Sequence, residues 1–214
     1  MTISCVSDVS CFLSIFCKLS INSSDFNLYK ESFDFTNFTI SFTFSSNDIF
    51  YKKSLIIYFS RADENYSVGY IEKGNTEVVA EYIRDITGGD LFKVEPASLY
   101  AKDYDTCIEE AKDRQATHNA PITESIPDIS GYEVIYIGAP VYWSYMPEEL
   151  VTALKDVDFT GKTVRVFTTH EGSGTGSIPT QVKNVCKGAD VLSDALAIRG
   201  SSVANAKNRV EDWV

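Results

Sequence analysis

Residues 1–53 contain no glycine, no proline and no alanine, although they hold nine of the thirteen phenylalanines and many serines. From Ser54 onward the usual mixture of Ala, Gly, Val and Glu returns. Such a break in composition marks a boundary, with an extension over 1–53 and a domain over 54–214. Other absences exclude whole classes. No run approaches the roughly 20 apolar residues that span a bilayer. The apolar stretch Cys11–Ser20 has neither the basic start nor the A-x-A site of a secretory signal, and Asp8 is the only charge before Lys18. Leu13-Ser14-Ile15-Phe16-Cys17 lacks the small residue that a lipoprotein site places before its cysteine. The five cysteines form no C-x-x-C pair and no Cys/His metal spacing, so no metal site is expected. Cys107 and Cys186 read as free thiols of a reducing compartment, the cytoplasm. A net charge of -11 argues against a grip on nucleic acid, which needs clustered Lys and Arg.

The extension is expected to be poorly ordered, as upstream sequence translated from a misplaced start would be, with Tyr51 in the place of a first methionine. Phe33–Phe44 alternates in part, as a strand added to a sheet edge would. The domain is more regular. Leu55-Ile56-Ile57-Tyr58-Phe59 is the continuous apolar run of a strand covered on both faces. Further strands are expected at Asp90–Val94, Glu133–Ile137, Val164–Thr168 and Asp190–Ile198. Helices are expected at Thr76–Ile86, Asp103–Thr117, Pro147–Leu154, Ser177–Cys186 and Val203–Trp213, and Gly88-Gly89 stops the first. Five strands alternating with helices predict an α/β fold: a three-layer, doubly wound parallel sheet with right-handed crossovers. Ligands of such sheets bind beyond the carboxyl ends of the strands.

Three loops at those ends have unusual content. The first runs from Ser60-Arg61 to Gly74-Asn75-Thr76. Gly69–Thr76, GYIEKGNT, is one residue short of a triphosphate-binding loop, with Asn75 where the lysine should stand. Without that lysine nothing reaches the outer phosphates. A helix opening at Thr76 offers backbone N–H groups and a positive dipole end to a single phosphate. Ser60, Asn75 and Thr76 add neutral donors, and the alternative is that Asn75 merely caps the helix. The second loop, Gly138-Ala139-Pro140-Val141-Tyr142-Trp143-Ser144-Tyr145-Met146-Pro147, carries three aromatics in four residues. They either meet a flat ligand or cover the end of the sheet. The third, Thr168-Thr169-His170-Glu171-Gly172-Ser173-Gly174-Thr175-Gly176, has glycines at alternate positions that let backbone approach a ligand. His170 is there either an acid or base or a capping residue, and no catalytic residue is assigned.

Together the loops ask for a monophosphate, a flat ring and a polar ring edge, the parts of FMN. Residues 54–214 resemble the flavodoxin-like family at Ser60-Arg61, Gly74-Asn75-Thr76, Gly138–Trp143 and Gly172–Gly176. The resemblance implies strand order 2-1-3-4-5 and FMN held without a covalent link. It puts Ser60, Asn75 and Thr76 on the phosphate, Trp143 on the isoalloxazine and the Gly172-Ser173-Gly174 backbone at the pyrimidine edge, with Arg61, Pro140, Val141, Tyr142 and Thr169 also among the expected cofactor-binding residues. The departure is an insertion, Ala62–Lys73, which splits the phosphate loop, suggests a lid and leaves the role of Arg61 open. Gly69 belongs to the insertion, so the likeness to a triphosphate loop is accidental. Two functions follow. One is an oxidoreductase passing electrons from a reduced nicotinamide or protein donor to a small acceptor such as a quinone. The other is a one-electron carrier between redox proteins, and a flavin-free interaction domain on the same fold is a more distant third.

Overall fold

The structure is a computed structural model and is described here for residues 53–214. The expected extension, including its Phe33–Phe44 strand, lies outside these residues. The chain alternates β1 (Ser54–Tyr58), β2 (Asp63–Asn65), β3 (Gly69–Ile71), α1 (Asn75–Thr87), β4 (Asp90–Lys93), α2 (Tyr104–Thr117), β5 (Val134–Pro140), α3 (Glu148–Leu154), β6 (Thr163–His170), α4 (Ile178–Val185), β7 (Asp190–Val191), β8 (Leu196–Arg199) and α5 (Lys207–Trp213). A 3₁₀ turn over Gly200–Asn205 precedes α5.

The main sheet runs β4-β1-β5-β6-β7, with β8 also pairing with β6. Every pairing in it is parallel. This is the predicted 2-1-3-4-5 order. The side chains of β1 and of Phe59 just after it divide by the strand's period of two. Leu55, Ile57 and Phe59 enter the core beneath α2, α3 and α4, whereas Ile56 and Tyr58 enter the core beneath α1 and α5. A strand buried on both faces reads as an unbroken apolar run for this reason. Gly138 is the one tight point of the sheet: an added Cβ would lie 2.0 Å from the Phe167 ring.

The fifth strand differs from the sequence expectation. It is two short pieces, and β7 pairs with Thr163-Val164 while β8 pairs with Phe167–His170. Ser193-Asp194 interrupts the ladder, because Arg165 Nη2 donates to Asp194 Oδ2 at 2.6 Å and Trp213 Nε1 donates to the Asp194 carbonyl at 2.6 Å. The last expected helix likewise divides into the 3₁₀ turn and α5. The insertion Ala62–Lys73 is an antiparallel hairpin, β2 against β3.

Candidate functional site

The three sequence-selected loops converge at the carboxyl ends of β1, β5 and β6. Between them lies an open cavity of about 330 Å³. Nine of the residues singled out by sequence line it: Arg61, Asn75, Pro140, Val141, Tyr142, Trp143, Thr169, His170 and Ser173. Ser60, Thr76, Gly172 and Gly174 are not among the residues that line it.

At the β1 end the backbone forms a cradle. Gly74 precedes the first turn of α1 in an extended conformation and makes no side-chain cap. Ser60 takes the capping role across the loop, its Oγ accepting the Glu77 N–H at 3.0 Å. The Ser60 hydroxyl proton is left free to donate. Among the described residues the N–H groups of Asn75 and Thr76 meet no acceptor, as expected for the first turn of a helix. Asn75 is therefore not the cap that one sequence reading made it. An added Cβ on Gly74 would sit 2.2 Å from Ser60 Oγ and 2.5 Å from the Arg61 carbonyl, so only glycine fits. Thr76 is buried, and its Oγ1 lies 2.7 Å from Thr169 Oγ1. That hydroxyl pair ties the cradle to the end of β6.

Arg61 points along the hairpin. Its Nη1 donates to the Glu64 carbonyl at 2.5 Å, and its Nη2 to the carbonyls of Ala101 at 2.5 Å and Lys102 at 2.8 Å. Its Nε is buried without a partner.

At the β5 end, Tyr142 to Tyr145 form a tight turn closed by two backbone bonds, Tyr142 N to Tyr145 O at 2.9 Å and the reverse at 2.8 Å. Its central residues, Trp143 and Ser144, both have positive φ, 51° and 73°, a costly conformation for residues with a Cβ. Neighbours hold it in place. Trp143 Nε1 donates to the Ile108 carbonyl at 3.1 Å, Gln115 Nε2 donates to the Tyr142 carbonyl at 3.1 Å, and Ser177 donates through N and Oγ to the Ser144 carbonyl at 2.7 and 2.6 Å. The turn separates the three aromatics. Tyr142 faces inward, edge-on to Phe59 and Tyr100, and burial pushes its phenol well above the usual range. Tyr145 is half exposed and away from the cavity. Trp143 is 51% exposed and lines it.

In the third loop Gly172, Gly174 and Gly176 all have positive φ. The Gly172 N–H is taken, donating to His170 Nδ1 at 2.9 Å. That bond requires an unprotonated Nδ1. Burial first, and then the charge of Arg199, lower the His170 pKa below its ordinary value. The Gly174 carbonyl accepts from Thr168 Oγ1 at 3.3 Å.

The cavity also takes in residues that sequence reasoning passed over. Tyr104, Cys107, Ile108 and Ala111 line it from one face of α2. Their i, i+3, i+4, i+7 spacing is a readable signal, but a helix face of that period reads equally as core. Asn65, Tyr66 and Val68 come from the hairpin, and Glu171 and Gly200 from the ends of β6 and β8. No sequence pattern marked these five. Among the described residues there is no cluster of His, Cys, Asp or Glu that could hold a metal ion, and no helix is long and apolar enough to cross a membrane.

A family model described as flavodoxin matches residues 64–214. Among solved structures, a candidate flavoprotein from Bacteroides uniformis is 21% identical, with a TM-score of 0.60 over 75% of this chain and 96% of its own. A candidate flavoprotein from Bacteroides eggerthii is 23% identical, with a TM-score of 0.56 over 74% of this chain and 97% of its own. A flavoprotein from Lactobacillus acidophilus, solved in complex with FMN, is 23% identical, with a TM-score of 0.52 over 73% of this chain and 99% of its own. At these identities the likeness speaks for the fold. No curated protein matches the chain.

Proposed function

The chain belongs to the flavodoxin family, and from that premise we propose that it binds FMN without a covalent link and acts as an oxidoreductase, taking electrons from a reduced nicotinamide or protein donor and giving them to a small acceptor such as a quinone. The observation that carries this reading is the pairing of a neutral phosphate cradle at one end of the cavity with a displayed indole at the other. The donor set fits a monophosphate: two free backbone N–H groups at a helix start, the Ser60 hydroxyl and the Asn75 amide, with no lysine for outer phosphates. The Gly74 contact distances leave no room for a Cβ beside that cradle.

Bound FMN supplies a ring that takes up two electrons and releases them singly or as a pair. The chain's own residues bind, orient and shield. Ser60 and the α1 start fix the phosphate. The Thr76–Thr169 hydroxyl pair holds two loops in register and has one proton left to donate. Trp143, held by its bond to the Ile108 carbonyl, would lay an apolar face against the ring and keep water from it. Val141 and Pro140 continue that wall. Ser173 offers polar groups at the ring edge, and neutral His170 holds Gly172 in place. A net charge of -11 disfavours a further negative charge on a reduced ligand.

Bleaching of the flavin bands of FMN-loaded protein by NADPH, and their return on adding a quinone, tests the enzyme. The second reading is a one-electron carrier between redox proteins, favoured by the acidic charge. It predicts no bleaching by NADPH but ready reduction by a protein reductase. The cytoplasm suits either, since Cys107 and Cys186 are free thiols. The unit that carries this function is taken to begin at the 53/54 boundary. The Lys53 carbonyl accepts from Glu133 N–H at 2.9 Å, so a truncation that keeps Lys53 tests the boundary without removing that bond.

A further inference from the structure

We propose that the outer part of the cavity, between one face of α2 and the β2–β3 hairpin, seats a flat, uncharged acceptor of the quinone class, and that Tyr66 is the residue that selects it. This rests on the FMN reading above. Three observations lead to it.

The hairpin has no part in the phosphate cradle: Ser60, Gly74, Asn75 and Thr76 meet without it. Yet it is firmly built. Arg61 donates to the hairpin's own Glu64 carbonyl and to the carbonyls of Ala101 and Lys102 outside it. Glu64 N donates to the Lys102 carbonyl at 3.1 Å, and Tyr104 N donates to Glu64 Oε2 at 3.0 Å. Asp63 and Ser67, neither of them glycine, stand at φ 67° and 61°. Strain held by so many contacts is a mark of a functional segment.

What the hairpin displays is an aromatic ring. Tyr66 is 62% exposed, lines the cavity, and lies 5.6 Å from the Tyr104 ring at an angle of 36°. Beyond Tyr104 the wall continues along α2 through Cys107, Ile108 and Ala111. None of these side chains carries a charge at neutral pH, since burial raises both the Cys107 thiol and the Tyr104 phenol.

Charge then narrows the class. Among the described residues Arg61 is the only arginine or lysine lining the cavity, and both its terminal nitrogens are turned to backbone carbonyls. A phosphorylated ligand would meet only a guanidinium already turned to those carbonyls. A neutral bicyclic quinone needs only ring faces, which Tyr66 and Tyr104 supply.

The test uses the full chain loaded with FMN and held oxidised, so that binding is read without turnover. Menadione is titrated against the parent, Tyr66→Ala, Tyr66→Phe and Tyr70→Ala, following the perturbation of flavin absorbance, and FMN affinity is measured for each. Tyr70 is an equally exposed hairpin tyrosine, 68%, that does not line the cavity. Tyr66→Ala should weaken menadione binding roughly tenfold, as loss of one stacked ring does. Tyr66→Phe and Tyr70→Ala should match the parent, and all four proteins should bind FMN alike. Parent-like menadione binding by Tyr66→Ala overturns the proposal. So does a loss of FMN affinity in that variant, which would put Tyr66 over the flavin itself. A parent that takes up no FMN overturns the underlying reading and this one with it.

Discussion

The loop after β1 and the turn after β5 meet in one cavity but are built on opposite plans. At the first, backbone holds and side chains stay short: Gly74 has no room for a Cβ, and the donors on offer are backbone N–H groups, the Ser60 hydroxyl and the Asn75 amide. At the second, backbone is strained so that one large side chain can be displayed, and Trp143 and Ser144 accept positive φ while Tyr142 is turned inward. The lesson is that the two ends should fail in opposite ways. The β1 loop is damaged by adding atoms, the β5 turn by removing them.

The largest expected effect separates support from display within the turn. Tyr142→Ala removes a ring packed against Phe59 and Tyr100, and should lower stability by about 3–5 kcal/mol, read by urea unfolding. If stability holds while only flavin affinity falls, Tyr142 rather than Trp143 is the displayed ring. Next is Gly74→Ala, a single added methyl. The clash with Ser60 Oγ and the Arg61 carbonyl should cost about 3 kcal/mol of FMN affinity, near the top of the range for overpacking. Titration with FMN checks it, and unchanged affinity would mean that the cradle can open.

Trp143→Ala should weaken FMN by roughly 1–3 kcal/mol with little change in unfolding. Flavin fluorescence should be less quenched, and full reduction should become easier. Tyr145→Ala, half exposed and outside the cavity, should stay within about 0.5 kcal/mol of the parent in both measurements. A larger loss at Tyr145 than at Trp143 would reverse the assignment of the turn.

The smallest effect is one of pH. The folded-state pKa of His170 is lowered, so the native loop favours neutral imidazole. Its contribution to stability is present above the ordinary value of about 6.5 and is lost as pH falls through the lowered folded value. The Gly172 N–H bond to Nδ1 is lost with it. FMN affinity should therefore decline as the pH is taken from 7 toward 5, and less so in His170→Gln. An NMR titration of the His170 ring with a midpoint above 6.5 would contradict this.

The same contrast explains what could be read from the chain. The buried parallel strands were legible in Leu55–Phe59 and its counterparts, because burial on both faces leaves an unbroken apolar run, whereas their order came only from the family resemblance. The cradle was legible in Gly74-Asn75-Thr76, since a helix start and its donors are local. The hairpin's shape was not. Asp63-Glu64-Asn65 and Gly69-Tyr70-Ile71 have no alternating apolar pattern, and Arg61 fixes them through carbonyls about forty positions away. The split of β7 from β8 was hidden for a like reason, since Arg165 draws Asp194 out of the ladder from another strand. Which of the turn's three aromatics would be displayed and which turned inward depended on two residues of positive φ, and neither is a glycine that would have signalled it.

The central claim is that the cavity takes a flavin through a single phosphate at the β1 loop. Equilibrium titration of apoprotein with FMN, riboflavin and ATP tests it most directly. The account predicts tight binding of FMN, much weaker binding of riboflavin, which lacks the phosphate, and no comparable binding of ATP. Riboflavin bound as tightly as FMN, or ATP preferred to both, would contradict it.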